Sequence, residues 1–137
     1  MKKIFTLSVV LFITTLFLGS CVQEHTYPDN NENYWLSKER GEVVYSDSYC
    51  NYYVVETYYG YNIVRSYAGY MPYEGDIVYG NFSNTGTRDI YNRTTGRIFT
   101  GTVTDYWLSY TGAQDALDYY CPTGKGTRVF KTMAAVK

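Results

Sequence analysis

The sequence predicts an all-β domain: a small antiparallel barrel or two-sheet sandwich with one short helix near residues 112–121. Three observations carry that expectation. From Tyr34 onward, short segments rich in Val, Ile, Tyr, Thr and Phe are broken by glycine and asparagine at brief intervals, the punctuation of strands joined by tight turns. The longest such segment, Arg97–Trp107, alternates: Phe99, Val103 and Trp107 fall on one face, while Thr100, Thr102 and Thr104 fall on the other. One face is therefore expected in the core and one in water. Finally, the 137 residues include 18 tyrosines, and tyrosine fits a pleated, half-buried surface well.

Taken in order, the expected strands are Glu42–Ser46, Tyr49–Tyr58, Tyr61–Tyr67, Asp76–Phe82, Thr87–Tyr91, Arg97–Trp107 and Thr127–Met133. "SNTGT" (83–87) and "NRTTGR" (92–97) read as hairpin turns, with Gly86 and Gly96 supplying the positive φ such turns need. Gly80 and Gly101 interrupt strand patterns and are expected at bulges or corners. "TGAQDALDYYCP" reads as a helix with Thr111 as N-cap and Gln114 three residues on, a capping-box spacing. Its apolar stripe is Ala113, Ala116, Leu117, Tyr120 and Cys121, and Pro122 discourages continuation. The order of strands and helix is compatible with an OB-like barrel, another compact barrel or a sandwich.

The first residues have a different character. Lys2 and Lys3 precede an apolar run, Ile4–Leu18. As a helix that run would reach ~22 Å, short of the ~30 Å hydrocarbon core of a bilayer, so it reads as a secretory signal and not as a spanning anchor. It ends in Leu18-Gly19-Ser20-Cys21. This resembles the lipobox of bacterial lipoproteins: an aliphatic residue, two small ones and a cysteine. The resemblance covers the export segment alone, and no family is recognised for the remainder. It implies cleavage before Cys21, diacylglyceryl modification of the Cys21 thiol and usually acylation of the new amino terminus. Two or three chains at ~0.8 kcal/mol per buried methylene make such an anchor effectively permanent. Val22 follows the cysteine, where an Asp would retain the lipoprotein at the inner membrane in enteric bacteria. The resemblance thus implies the outer membrane. The expected organisation is a signal peptide at 1–20, a lipidated cysteine and flexible tether at 21–33, and one β domain at 34–137.

Loss of Lys2 and Lys3 lowers Lys plus Arg from 12 to ten against 13 Asp plus Glu, a balance of −3. With no basic stripe, nucleic acid is not expected as a partner. With Cys21 lipidated, Cys50 and Cys121 remain as an even pair in an oxidising compartment, where a disulfide is expected. His25 is the only histidine and sits in the tether, where it cannot be held rigidly against a nucleophile. "DNNEN" (29–33) begins like a calcium loop, but Tyr34 replaces the glycine and Arg40 the bidentate glutamate. "PTGKGT" (122–127) lacks the first glycine of a phosphate loop and puts Gly126 where Ser or Thr must ligate magnesium. Of the carboxylate pairs, Glu74 with Asp76 and Asp115 with Asp118, neither shows the cleft that hydrolysis needs.

No catalytic residue, metal site or cofactor is expected. The function expected is a lipid-anchored, non-catalytic envelope module whose tyrosines contact a glycan or a partner protein. One alternative is an inhibitor or immunity lipoprotein acting on a periplasmic hydrolase, since "RSYAGY" (65–70) is distantly similar to a loop of lysozyme-inhibiting lipoproteins. The other is a structural accessory subunit of an envelope complex.

Overall fold

A computed structural model describes residues 31–126 and 128–131. Cys21, His25 and the expected signal peptide lie outside the described residues. The elements are α1 (Glu32–Leu36), β1 (Glu39–Ser46), β2 (Tyr52–Thr57), β3 (Gly60–Ser66), β4 (Ile77–Gly80), β5 (Gly86–Asn92), β6 (Arg97–Leu108) and α2 (Tyr110–Tyr120).

The six strands close into an antiparallel barrel in the order β1-β2-β3-β6-β5-β4, with β4 returning to β1. Two three-stranded meanders, β1–β3 and β4–β6, are joined along β3/β6 and β1/β4. Of the architectures left open by the sequence, the chain forms the barrel. Register slips between Val43 and Tyr45 of β1 and at two points of the β3/β6 ladder. Such irregularities increase local twist and let a small sheet curl. The ladders are unequal. β5 and β6 share seven residue pairs, from Gly86↔Val103 to Asn92↔Arg97, whereas β4 and β5 share two, Val78↔Asn92 and Tyr79↔Tyr91.

Two cores hold the fold. Val43, Tyr53, Val55, Val64, Val78, Phe82, Ile90, Phe99 and Val103 fill the barrel. On the outer face of the wall, Val44, Val54 and Ile63 pack against Ala113 and Leu117 of α2 and against Phe130. This double burial explains why Val43-Val44, Val54-Val55 and Ile63-Val64 run apolar without alternation, as strands covered on both faces do. Gly101 lies in regular pairing with Ser66 and Arg88 and marks a close approach inside the barrel. A Cβ there would lie 2.8 Å from the Tyr53 hydroxyl.

The helix begins earlier than the capping-box spacing suggests. Ser109 is the N-cap, its Oγ accepting the Gly112 N–H at 3.1 Å, and Thr111 lies inside the helix. Gln114 does not reach back to the cap; its amide donates to the Arg128 carbonyl at 2.9 Å. Cys121 caps the C-terminal end and lies at disulfide distance from Cys50, with Cα–Cα 5.8 Å across 71 residues of sequence, inside the range a disulfide spans.

The expected last strand differs too. Among the described residues of 127–133, Arg128–Lys131 join no sheet, because β1 already has β2 and β4 as partners. One backbone bond remains, from the Lys131 N–H to the Val44 carbonyl at 2.9 Å. Val44 is the residue skipped where the β1/β2 register slips. Arg128 clasps this segment from within. Its Nε donates to the Tyr45 hydroxyl at 3.0 Å, and its Nη atoms reach Asp118 and the carbonyls of Cys121 and Thr123. At the other end, Asn31–Asn33, expected as tether, are the cap and first turn of α1. Asn31 Oδ1 accepts the Tyr34 N–H, and Glu32 pairs with Arg93 at 3.3 Å.

Candidate functional site

At one rim of the barrel four aromatic side chains meet in the open. Tyr58 and Tyr59 form the tip of the β2–β3 hairpin; Tyr106 and Trp107 lie next to the end of β6 at Leu108. Ring centroids are 5.4 Å apart for Tyr58–Tyr59, for Tyr59–Trp107 and for Tyr106–Trp107. Exposures of 91% for Tyr58, 60% for Tyr59, 39% for Tyr106 and 50% for Trp107 make this one contiguous solvent-facing strip. Isolated exposed aromatics need no explanation, whereas a contiguous patch marks a contact surface.

The sequence pattern puts Trp107 in the core with Phe99 and Val103, and the structure corrects this. Phe99, Gly101 and Val103 do face inward. Past that point the register slips twice: Val64 pairs with Val103 and Ile63 with Asp105, so Thr104 has no partner, and Tyr61 pairs with Leu108, so Asn62 stands opposite both Tyr106 and Trp107. An extra residue in one strand turns the following side chain to the other face. Trp107 consequently points to solvent with φ of +57°, a left-handed conformation that costs a non-glycine residue roughly 1–2 kcal/mol.

What holds it there is Asn62, which is fully buried. Its Oδ1 accepts the Trp107 N–H at 3.2 Å. Its Nδ2 donates to the carbonyls of Val55 at 3.1 Å and Gly60 at 3.2 Å. Thr57 Oγ1 in turn accepts the Tyr59 N–H at 3.3 Å. Gly60, at φ +133°, brings the hairpin so close to β6 that a Cβ would sit 2.7 Å from the Leu108 carbonyl oxygen. One buried amide thus ties the hairpin to the end of β6 and fixes both halves of the aromatic strip. Strained backbone persists where its surroundings over-determine it, and such places cluster at functional sites. The missed signal was Asn62 itself, a residue depleted from strands, set inside the apolar run Tyr61-Asn62-Ile63-Val64.

A second aromatic group lines the outer wall. Tyr52 and Tyr120 stack at 4.5 Å and 10°, and Tyr119 beside them is 81% exposed. Burial, assisted by the neighbouring Asp105 carboxylate, pushes the Tyr120 hydroxyl above its ordinary range. Burial, with Glu56 close by, pushes Tyr61 up to about 12.

The sequence-level candidates fall as follows. Cys50 and Cys121 come together; Cys21 lies outside the described residues. Glu74 pairs with Lys131 at 2.8 Å and accepts the Ser46 N–H. Asp76 is buried and accepts the Tyr73 N–H at 3.0 Å and the Asn92 amide at 2.6 Å, locking a turn. Asp118 pairs with Arg128, and Asp115 is exposed. Among the described residues, three or more His, Cys, Asp or Glu side chains nowhere converge as a metal site, and no helix is long and apolar enough to cross a membrane.

No protein-family model matches this chain, and neither does any curated protein or solved structure.

Proposed function

We propose that the chain is a lipid-anchored, non-catalytic binding module of the cell envelope, and that the strip Tyr58, Tyr59, Tyr106 and Trp107 is its recognition face for a glycan. In this reading residues 1–20 direct export, acylated Cys21 holds the protein in the outer membrane, and Cys50 and Cys121 are bridged in an oxidising compartment. The observation that carries the binding role is the contiguous exposed aromatic strip whose central residue is kept in a strained conformation by a buried amide. Aromatic faces present flat, rigid apolar area with polar tips, which suits the alternating C–H faces and hydroxyls of sugar rings.

The test uses the full chain produced with its lipid modification. Detergent-solubilised protein is sedimented with insoluble peptidoglycan, and the peptide containing residue 21 is weighed by mass spectrometry. Retention is expected for the wild type and is lost in Trp107→Ala and Tyr59→Ala, both still folded by circular dichroism. Equal retention of wild type and variants overturns the recognition face, and an unmodified residue 21 overturns the anchor. The hydrolase-inhibitor alternative draws less support. The Arg65–Tyr70 segment is exposed at Arg65, Tyr67, Ala68 and Gly69; its one charge, Arg65, belongs to β3, and the tip beyond it carries none to offer a catalytic cleft. A lysozyme assay in the presence of the protein decides it.

A further inference from the structure

A cleft of about 530 Å³, sharing no residue with the rim strip, lies between α1 and the β4–β5 side of the barrel. Its volume is in the range of small-molecule sites. Tyr34 and Trp35 form one wall, Asn81, Arg88 and Asp89 the other, and Lys38 joins the lining. The aromatic wall is braced. Trp35 stacks on Tyr91 at 6.0 Å and 30°, and Tyr34 meets Trp35 edge-on at 5.3 Å. The Ser37 hydroxyl donates to the Tyr34 carbonyl at 2.7 Å.

The opposite wall is fixed by Arg88. Its Nε donates to the Gly86 carbonyl at 3.2 Å. Its Nη1 donates to the Asn81 carbonyl at 2.8 Å and to Asn84 Oδ1 at 2.7 Å, and its Nη2 to the Thr85 carbonyl at 2.7 Å. All four acceptors are neutral, so the guanidinium is oriented without being neutralised, and one of the five N–H groups an arginine carries is left over. Lys38 is likewise satisfied by a ring, its Nζ lying 4.4 Å from the Tyr34 centroid. The lining holds one carboxylate, Asp89, whose Oδ1 already accepts the Thr100 hydroxyl at 2.9 Å. Two cations against one anion form a local positive excess in a chain of formal net charge −1.

We propose that this cleft binds a saccharide unit bearing an anionic substituent, with the sugar ring against Trp35 and Tyr34 and the acid group between Lys38 and Arg88. Asn81 and Asp89 supply the planar polar groups that read ring hydroxyls. The site stands on its own residues and does not depend on the rim strip being a glycan face.

The experiment titrates the full chain calorimetrically with trigalacturonate and with neutral maltotriose. Trigalacturonate is expected to bind at least ~10-fold tighter than maltotriose, a difference of about 1.4 kcal/mol. Raising the salt from about 0.05 to 0.5 M narrows the gap by screening. Lys38→Glu, at an exposed position where the ammonium lies over the Tyr34 ring, is expected to cost ~10-fold or more, while Lys38→Arg keeps affinity within about threefold, since both carry the charge. Equal binding of both sugars, no binding of either, or a Lys38→Glu protein that binds as wild type overturns the proposal. Tyr49→Ala, at an exposed position outside both the cleft and the rim strip, is expected to bind trigalacturonate unchanged, and loss of binding in that variant overturns the assignment to this cleft.

Discussion

Substituting Trp107 by alanine and, separately, by glycine measures the strain at the rim directly. Both variants lose the indole and all its contacts, so the difference between them isolates the backbone. At an ordinary strand position glycine is less stable than alanine by roughly 0.5–1 kcal/mol, because it loses more freedom on folding. At Trp107 φ is +57°, where alanine retains a Cβ penalty of roughly 1–2 kcal/mol that glycine does not have. The two terms oppose each other and the strain term is larger. Trp107→Gly is therefore expected to be more stable than Trp107→Ala by about 0.5–1 kcal/mol, a melting difference of a few degrees for a domain of this size. The assay is paired urea and thermal unfolding followed by far-ultraviolet circular dichroism. Thr102, on the same strand in regular pairing with Arg65 and Thr87, is the control, and there alanine is expected to beat glycine by the usual margin. If alanine is the more stable residue at both positions, Trp107 is not strained and the preorganised-rim argument fails.

Four further outcomes are expected. Removing the proposed Cys50–Cys121 bond, by Cys50→Ser with Cys121→Ser or by reductant, frees a loop spanning 71 residues and is expected to remove about 4 kcal/mol in the chain-entropy picture; identical urea midpoints for oxidised and reduced protein would show that no bond exists. Gly101→Ala drives a methyl to 2.8 Å from the Tyr53 hydroxyl and 2.9 Å from Val64 Cγ1, an overpacking cost of about 1–3 kcal/mol. Tyr53→Phe removes a buried hydroxyl that has no partner and is expected to be neutral or stabilising, and to soften the Gly101→Ala cost in a double-mutant cycle. In alkali, Tyr61 ionises at about 12 in the folded protein against an ordinary value of 10.0. A raised folded value means its contribution is complete below pH 10 and is lost as pH rises toward about 12; Tyr61→Phe flattens that segment of the stability profile, and absorbance at alkaline pH reads the titration.

Six strands and the helix were legible because each announces itself through local chemistry. The alternation in Arg97–Val103, the turn glycines at 86 and 96 and the apolar stripe of α2 all carried over into the fold. What stayed hidden depends on partners distant in sequence. Trp107 obeys the alternation on paper, and only its pairing across the ladder, with Thr104 skipped and Asn62 holding its N–H, decides that it turns outward. Thr111 and Ser109 are both competent caps, and the helix starts at whichever lies where β6 ends. Arg128–Lys131 have strand composition, but closure of the barrel leaves them no free edge. The α1 cleft was invisible for the same reason, since its walls come from residues 34–38 and 80–89, which no spacing rule links.

The shortest ladder has a consequence for how the domain moves. With two residue pairs between β4 and β5 against seven between β5 and β6, the cylinder has a built-in slit, and excursions from the closed form begin along it, because local opening starts where the fewest contacts must be broken. Helix α1 straddles that slit, its Trp35 resting on Tyr91 of one lip while the helix contacts β4 on the other. The helix therefore ties the two lips together across the barrel's shortest seam.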